Sequence, residues 1–220
     1  MQQSELFPPI KGHIGTDESG KGDYFGPLVI AGVFLEDAQQ GVLKELGVKD
    51  SKSLSDNRSR DLAEIIKRGY PHSVVSIGPE KYNELYDKLR NLNRILAWGH
   101  ARVIENILAE VPSSQAITDQ FGDRLFVISA LMKKGRQIEL IQRPKAEADL
   151  AVAAASILAR AEFLKRLYFL SQDWGLVLPK GSSPPAEEAG LKLVKLHGIE
   201  SLAKVAKTHF KLTERIQKLV

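Results

Sequence analysis

Apolar positions along the chain fall into two rhythms. Leu28-Val29-Ile30-Ala31-Gly32-Val33-Phe34-Leu35 is an unbroken apolar run with β-branched members, which predicts a strand covered on both faces. A shorter apolar stretch before it ends in Asp17-Glu18, and the two predict an antiparallel pair joined across a glycine-rich turn. Ser73 to Ile77 is a third strand candidate. From Asn91 to Val111 the rhythm changes: Leu92, Ile95, Leu96, Val103 and Ile107 recur at helical spacing, and Pro112 closes the segment. Gln115 to Gly122 predicts a short strand ending in a carboxylate, Arg124 to Lys134 a helix and Ile138 to Gln142 a further strand. The small residues of Ala146 to Arg160 predict a helix, running to Leu170, that packs very closely on a sheet. Residues 171–186 read as loop around Pro179-Lys180-Gly181, followed by helices near Glu187 to Leu196 and Ile199 to Lys207 and a basic tail at Lys207 to Lys218.

Three strands in sequence, then helices alternating with short strands, predict an α/β fold. Its central mixed sheet would be flanked by helices, antiparallel at first and parallel later, with a helical C-terminal portion. Residues 1–12, with Pro8-Pro9 and Gly12, read as an irregular lead-in, and 13–220 as one domain. Residues 36–50 read as connection, and Asp50-Ser51-Lys52-Ser53-Leu54-Ser55 offers caps for a helix carrying Leu62, Ile65 and Ile66.

Composition narrows the chemistry. The 220 residues are 43% hydrophobic, enough for a buried core, and a net charge of +4 is compatible with a phosphate-rich partner. There is no cysteine, so disulfides and thiolate metal sites are excluded and any metal must be held by oxygen or imidazole. No apolar run reaches the length of a membrane span and the first residues lack an export pattern, so a cytoplasmic protein is the default expectation.

The candidate chemistry lies in His13-Ile14-Gly15-Thr16-Asp17-Glu18-Ser19-Gly20-Lys21-Gly22. Side chains alternate faces along a strand, so Asp17 and Glu18 share a cavity only where the strand breaks. Gly20 and Gly22 let the backbone turn with positive φ and approach a ligand, and carboxylates beside such a loop suit a hard divalent cation bridging to phosphate. Asp119 and Glu147 likewise stand at a strand end or a helix start, and ligands gather beyond the carboxyl ends of strands in α/β sheets. Four such acids at one locus require a cation. Each has a commoner job: Asp119 as a turn residue, Glu147 as a first-turn glutamate favoured by the helix dipole. Asp149 competes with Glu147 for the fourth position. Lys180 is a phosphate-contact candidate, although loop lysines are usually just solvated. His100, among apolar positions, reads as a packed histidine rather than a ligand.

Taken together, these segments resemble the type 2 ribonucleases H, and ribonuclease HIII more than HII. The resemblance runs from residue 13 to about residue 212 and is carried by Gly15 to Pro27, Asp50-Ser51-Lys52-Ser53-Leu54, Asn91-Leu92-Asn93, Ile117 to Phe121, Ala151 to Arg160 and His209-Phe210-Lys211. It implies a ribonuclease H-like fold that hydrolyses the RNA strand of RNA/DNA hybrids. It also implies two Mg²⁺ or Mn²⁺ ions held by an Asp-Glu-Asp-Glu set, here Asp17, Glu18, Asp119 and Glu147. The Gly20-Lys21-Gly22 loop matches the element that reads the 2′-hydroxyl. Ribonucleases HIII usually carry an amino-terminal TBP-like domain, whereas only sixteen residues precede Asp17. Ser182 follows Lys180-Gly181 where HII has a tyrosine, which favours HIII over incision at single embedded ribonucleotides. The expected partner is the hybrid alone, bound by a monomer; the alternatives are an HII-like enzyme and a non-catalytic hybrid-binding module.

Overall fold

The computed structural model describes residues 11–49 and 51–220. Residues 1–10 of the expected lead-in, and Asp50 of the expected cap segment, lie outside the described residues. Five strands form one sheet: β1 (Gly12–Ser19), β2 (Leu28–Glu36), β3 (His72–Ile77), β4 (Gln115–Asp119) and β5 (Glu139–Arg143). Their order is β3-β2-β1-β4-β5, which puts β1 at the centre. β1, β2 and β3 pair antiparallel, while β4 lies parallel to β1 and β5 parallel to β4. This is the mixed sheet the sequence predicts.

Nine helices are described: α1 (Gln40–Glu45), α2 (Asp56–Gly69), α3 (Pro79–Leu89), α4 (Leu92–Glu110), α5 (Arg124–Ala130), α6 (Leu150–Asp173), α7 (Pro184–His197), α8 (Ser201–Val205) and α9 (Lys211–Leu219). The apolar face of α4 covers one side of the sheet, with Ala97, Ala101 and Ile104 clustered on Ile14 and Phe34. On the other side lies α6, whose small residues bring its backbone onto the strand. A Cβ added at Gly15 would fall 2.2 Å from both the Ala151 carbonyl carbon and the Val152 nitrogen, so only glycine admits the helix here. Ser55 starts α2, its Oγ accepting the Arg58 N–H at 3.2 Å.

Several boundaries differ from expectation. α6 begins at Leu150, after a 3₁₀ turn at Ala146–Ala148, because Asp149 caps it. α5 ends at Ala130, short of Lys134. The connection after β2 contains α1, and α3 was not foreseen at all. The expected basic tail is mostly α9, which buries Leu212, Thr213 and Ile216. Lys207, its expected first residue, is fully buried. Among the described residues no helix is long and apolar enough to cross a membrane.

Candidate active site

β1 does not break at its two acids but runs through them to Ser19, which pairs with Val29. Asp17 therefore shares the α6 face with Gly15, and Glu18 shares the α4 face with Thr16. Both nevertheless line one cleft of about 590 Å³ at the end of β1, because the strand ends a residue later. Asp119, from the end of neighbouring β4, lines the same cleft. Lys21, Lys52, Arg160 and Lys180 supply positive charge around it.

The two acids are held differently. Asp17 Oδ1 accepts the Glu18 N–H at 2.8 Å. Burial pushes the Asp17 carboxyl well above its ordinary value, and the nearby charges of Glu18 and Asp119 push the same way. Glu18 lies between two cationic or ionisable groups, with Oε2 3.3 Å from His100 Nε2 and Oε1 3.4 Å from Lys21 Nζ. Burial works to raise Glu18, but His100 and Lys21 outweigh it and hold the group below its ordinary value. His100 is packed, as expected, yet it also serves the site. Its Nδ1 lies 2.8 Å from Thr16 Oγ1 and 3.3 Å from Thr118 Oγ1, joining the paired positions of β1 and β4 beneath the acids.

Asp119 Oδ1 accepts the Ala146 N–H at 3.3 Å, which ties it to the turn carrying Glu147. Glu147 itself does not line the cleft. Asp149 does not line it either, and its oxygens are already engaged. Oδ1 accepts the Ala151 and Val152 amides at 2.9 and 3.2 Å, and both oxygens stand 2.9 Å from His13 Nε2. Among the described residues no three His, Asp or Glu groups are already gathered as a metal cluster. The donor chemistry nevertheless fits a hard divalent cation: Asp17 and Asp119 are oxygen donors on one cleft, and burial, with the neighbouring charge of Glu18, already disfavours the ionised form of Asp17.

The glycine loop departs from expectation at one position. Gly20 has φ +87°, and a Cβ there would meet the Pro27 carbonyl oxygen at 2.2 Å and the Phe163 ring at 2.9 Å. Gly22 has no positive φ; a Cβ there would meet nothing within 4 Å, so its backbone is open on the cleft side. Residues from far along the chain clasp the loop. Asp23 Oδ1 accepts the Gly181 N–H at 2.6 Å, Tyr24 N–H donates to the Gly181 carbonyl at 2.9 Å, and Lys207 Nζ donates to the Asp23 and Gly26 carbonyls at 2.8 Å each. Lys180 is not a free loop lysine: it donates to Asp56 Oδ2 at 2.7 Å, while Arg160 donates to Asp56 Oδ1 at 2.6 Å. Asp56 and Lys207 carry no local pattern that marks them, since their partners are distant in sequence.

A central mixed sheet with acids at the ends of adjacent parallel strands defines the class, a ribonuclease H, which is a hydrolytic endoribonuclease. The crystal structure of Bst-RNase HIII in complex with Mn²⁺ matches with a TM-score of 0.87 at 32% identity, over 96% of this chain and 70% of that one. The ribonuclease H2 of Pyrococcus horikoshii shares the fold, with a TM-score of 0.79 at 22% identity over 94% of this chain and 98% of its own. A family model described as Ribonuclease HII matches residues 14–213. Proteins named ribonuclease HIII match from Protochlamydia amoebophila, 49% identical over 93% of this chain and 68% of that protein, and from Chlamydia pneumoniae, 46% identical over 94% and 70%. The chain belongs to the ribonuclease HII family, and the two curated relatives above carry the name ribonuclease HIII.

Proposed function

We propose that residues 13–220 form a catalytic domain that hydrolyses the RNA strand of RNA/DNA hybrids with two divalent ions, Mg²⁺ or Mn²⁺, leaving 5′-phosphate and 3′-hydroxyl ends. The observation that carries this is the convergence of Asp17 and Asp119 from adjacent parallel strands on one cation-rimmed cleft. Asp17, Glu18 and Asp119 would hold the ions together with Glu147 from the adjoining turn. Glu147 is preferred to Asp149 because the latter's oxygens already cap α6 and face His13. Bound ions supply charge neutralisation, activation of a water and stabilisation of the departing oxygen.

The chain's own residues do the rest. His100 and Lys21 keep Glu18 ionised, so it is available without a proton to lose. The open backbone at Gly22 lets a ribose approach closely enough for loop amides to read its 2′-hydroxyl, the one group that separates RNA from DNA. Lys21 and Lys180 would contact phosphates, which carry no base information, so cleavage would be independent of sequence.

The test is to incubate labelled RNA/DNA hybrid, duplex DNA and duplex RNA with the protein, with and without Mg²⁺ or Mn²⁺. The expected result is scission of the RNA strand of the hybrid only, and only with the cation. A duplex containing one ribonucleotide should be nicked poorly. Cleavage of duplex DNA, or hybrid binding with no cation-dependent scission, would refute the proposal.

A further inference from the structure

On the helical side of the cleft, one carboxylate holds two cations. Asp56, in the first turn of α2, receives Arg160 from α6 at 2.6 Å and Lys180 from the loop before α7 at 2.7 Å. Arg160 is further fixed by donating to the Ser51 carbonyl at 2.6 Å, and the Ser51 amide in turn donates to Ser156 Oγ at 3.1 Å. The guanidinium is thus anchored at two points on a rigid helix. Among the described residues neither cation forms an ion pair with a second carboxylate, so the trio has one surplus positive charge.

Donors are also in surplus. A guanidinium has five N–H donors and an ammonium three, and the bonds to Asp56 and Ser51 use only some of them. Both cations line the same cleft as Asp17 and Asp119. A forked guanidinium beside an ammonium is the arrangement that suits a phosphate oxyanion. We infer that Arg160 and Lys180 form a subsite for a backbone phosphate of the hybrid beside the cleavage point, with Asp56 as the positioning residue that sets their spacing. The inference rests on the hybrid-cleaving reading above.

Two accounts of Asp56 predict opposite results. As a mere neighbouring charge it would repel the substrate, so Asp56→Asn would tighten binding. As a positioning residue, its loss lets both cations wander and weakens binding although a repelling charge has gone. Steady-state cleavage of hybrid by the full chain gives KM and kcat, and anisotropy titrations in the Asp17→Asn background across a range of salt give the salt slope. Lys180→Ala, at a half-exposed loop site, should raise KM roughly tenfold with kcat little changed. It should also reduce the salt slope by about one phosphate contact. Asp56→Asn should raise KM in the same direction, and the double variant should be little worse than Lys180→Ala alone, because both act on one contact.

Tighter binding by Asp56→Asn, or an unchanged KM and salt slope in Lys180→Ala, would overturn the subsite. So would a lower melting temperature with KM and salt slope intact, which would make the trio a brace between helices. If the unaltered protein neither binds nor cuts hybrid, the failure lies in the proposed function, which separates the two outcomes.

Discussion

Lys207 carries a large pH signature. It is fully buried, donates to the Asp23 and Gly26 carbonyls, and its Nζ lies 5.8 Å from the Tyr82 ring centroid. Burial pulls the ammonium down from 10.5 to about 7, against the opposing pull of the Asp23 carboxylate. In the unfolded chain it keeps its ordinary value. Between those two values the unfolded state binds a proton that the folded state lacks, so stability rises with pH. The slope is about 1.36 kcal/mol per pH step, or roughly 5 kcal/mol across the whole window. Below the folded value both states are protonated and the contribution is flat.

Urea unfolding of the protein and of Lys207→Met, from about pH 7 to about pH 10, isolates this one group. Methionine keeps much of the stem's volume but leaves two carbonyls without their donor, a loss of about 1–3 kcal/mol for each buried group left unpaired. Tyr24, Tyr70 and Tyr82 are raised by burial, but they titrate alike in both proteins and cancel in the difference. His209, lowered by burial and by Lys207, loses its proton below the window. The gap in stability should widen as pH rises. Parallel pH profiles for the two proteins would refute the burial argument.

The remaining expectations follow from the site and its supports. Asp17→Asn should abolish hybrid cleavage while leaving binding largely intact. It should also stabilise the cation-free protein near neutral pH: the folded value of Asp17 lies above its unfolded one, so ionising it costs stability as pH rises; thermal melts at pH 4 to 8 check this. Gly15→Ala should destabilise the fold by about 3 kcal/mol or more, since its Cβ would meet α6 backbone rather than a movable side chain; denaturant titration reads the loss. Asp149→Ala should cost about 1–2 kcal/mol as a lost helix cap, with turnover by the surviving fold little changed. Glu147→Gln should do the reverse, and a comparison of melting temperature and Mg²⁺-dependent rate for the two variants decides which acid serves the reaction.

The long-range frame was legible wherever apolar periodicity was unbroken. Leu28 to Leu35 and the α4 positions Ile95, Val103 and Ile107 are buried as their spacing requires. The meeting of Asp17 with Asp119 followed from strand ends lying beside one another in a parallel pair. Other features had signals that charge obscured. α3 opens with Pro79 and repeats Tyr82, Leu85, Tyr86 and Leu89, and α9 sets Leu212 four residues from Ile216 among basic side chains. The strand was expected to break at the acids, but pairing with β2 holds it to Ser19. Lys207 was beyond reach: a lysine whose partners are backbone carbonyls some 180 residues away leaves no trace in local sequence.

That clasp has a consequence for the protein as it is made. The acids of β1 are made before the residues that fasten the loop beside them: the turn at Asp23 to Gly26 takes long-range hydrogen bonds from Gly181, Val205 and Lys207. A nascent chain therefore holds Asp17 and Glu18 long before the fastening that shapes the adjoining loop. The final shape of that loop therefore waits until Lys207 has been added to the chain.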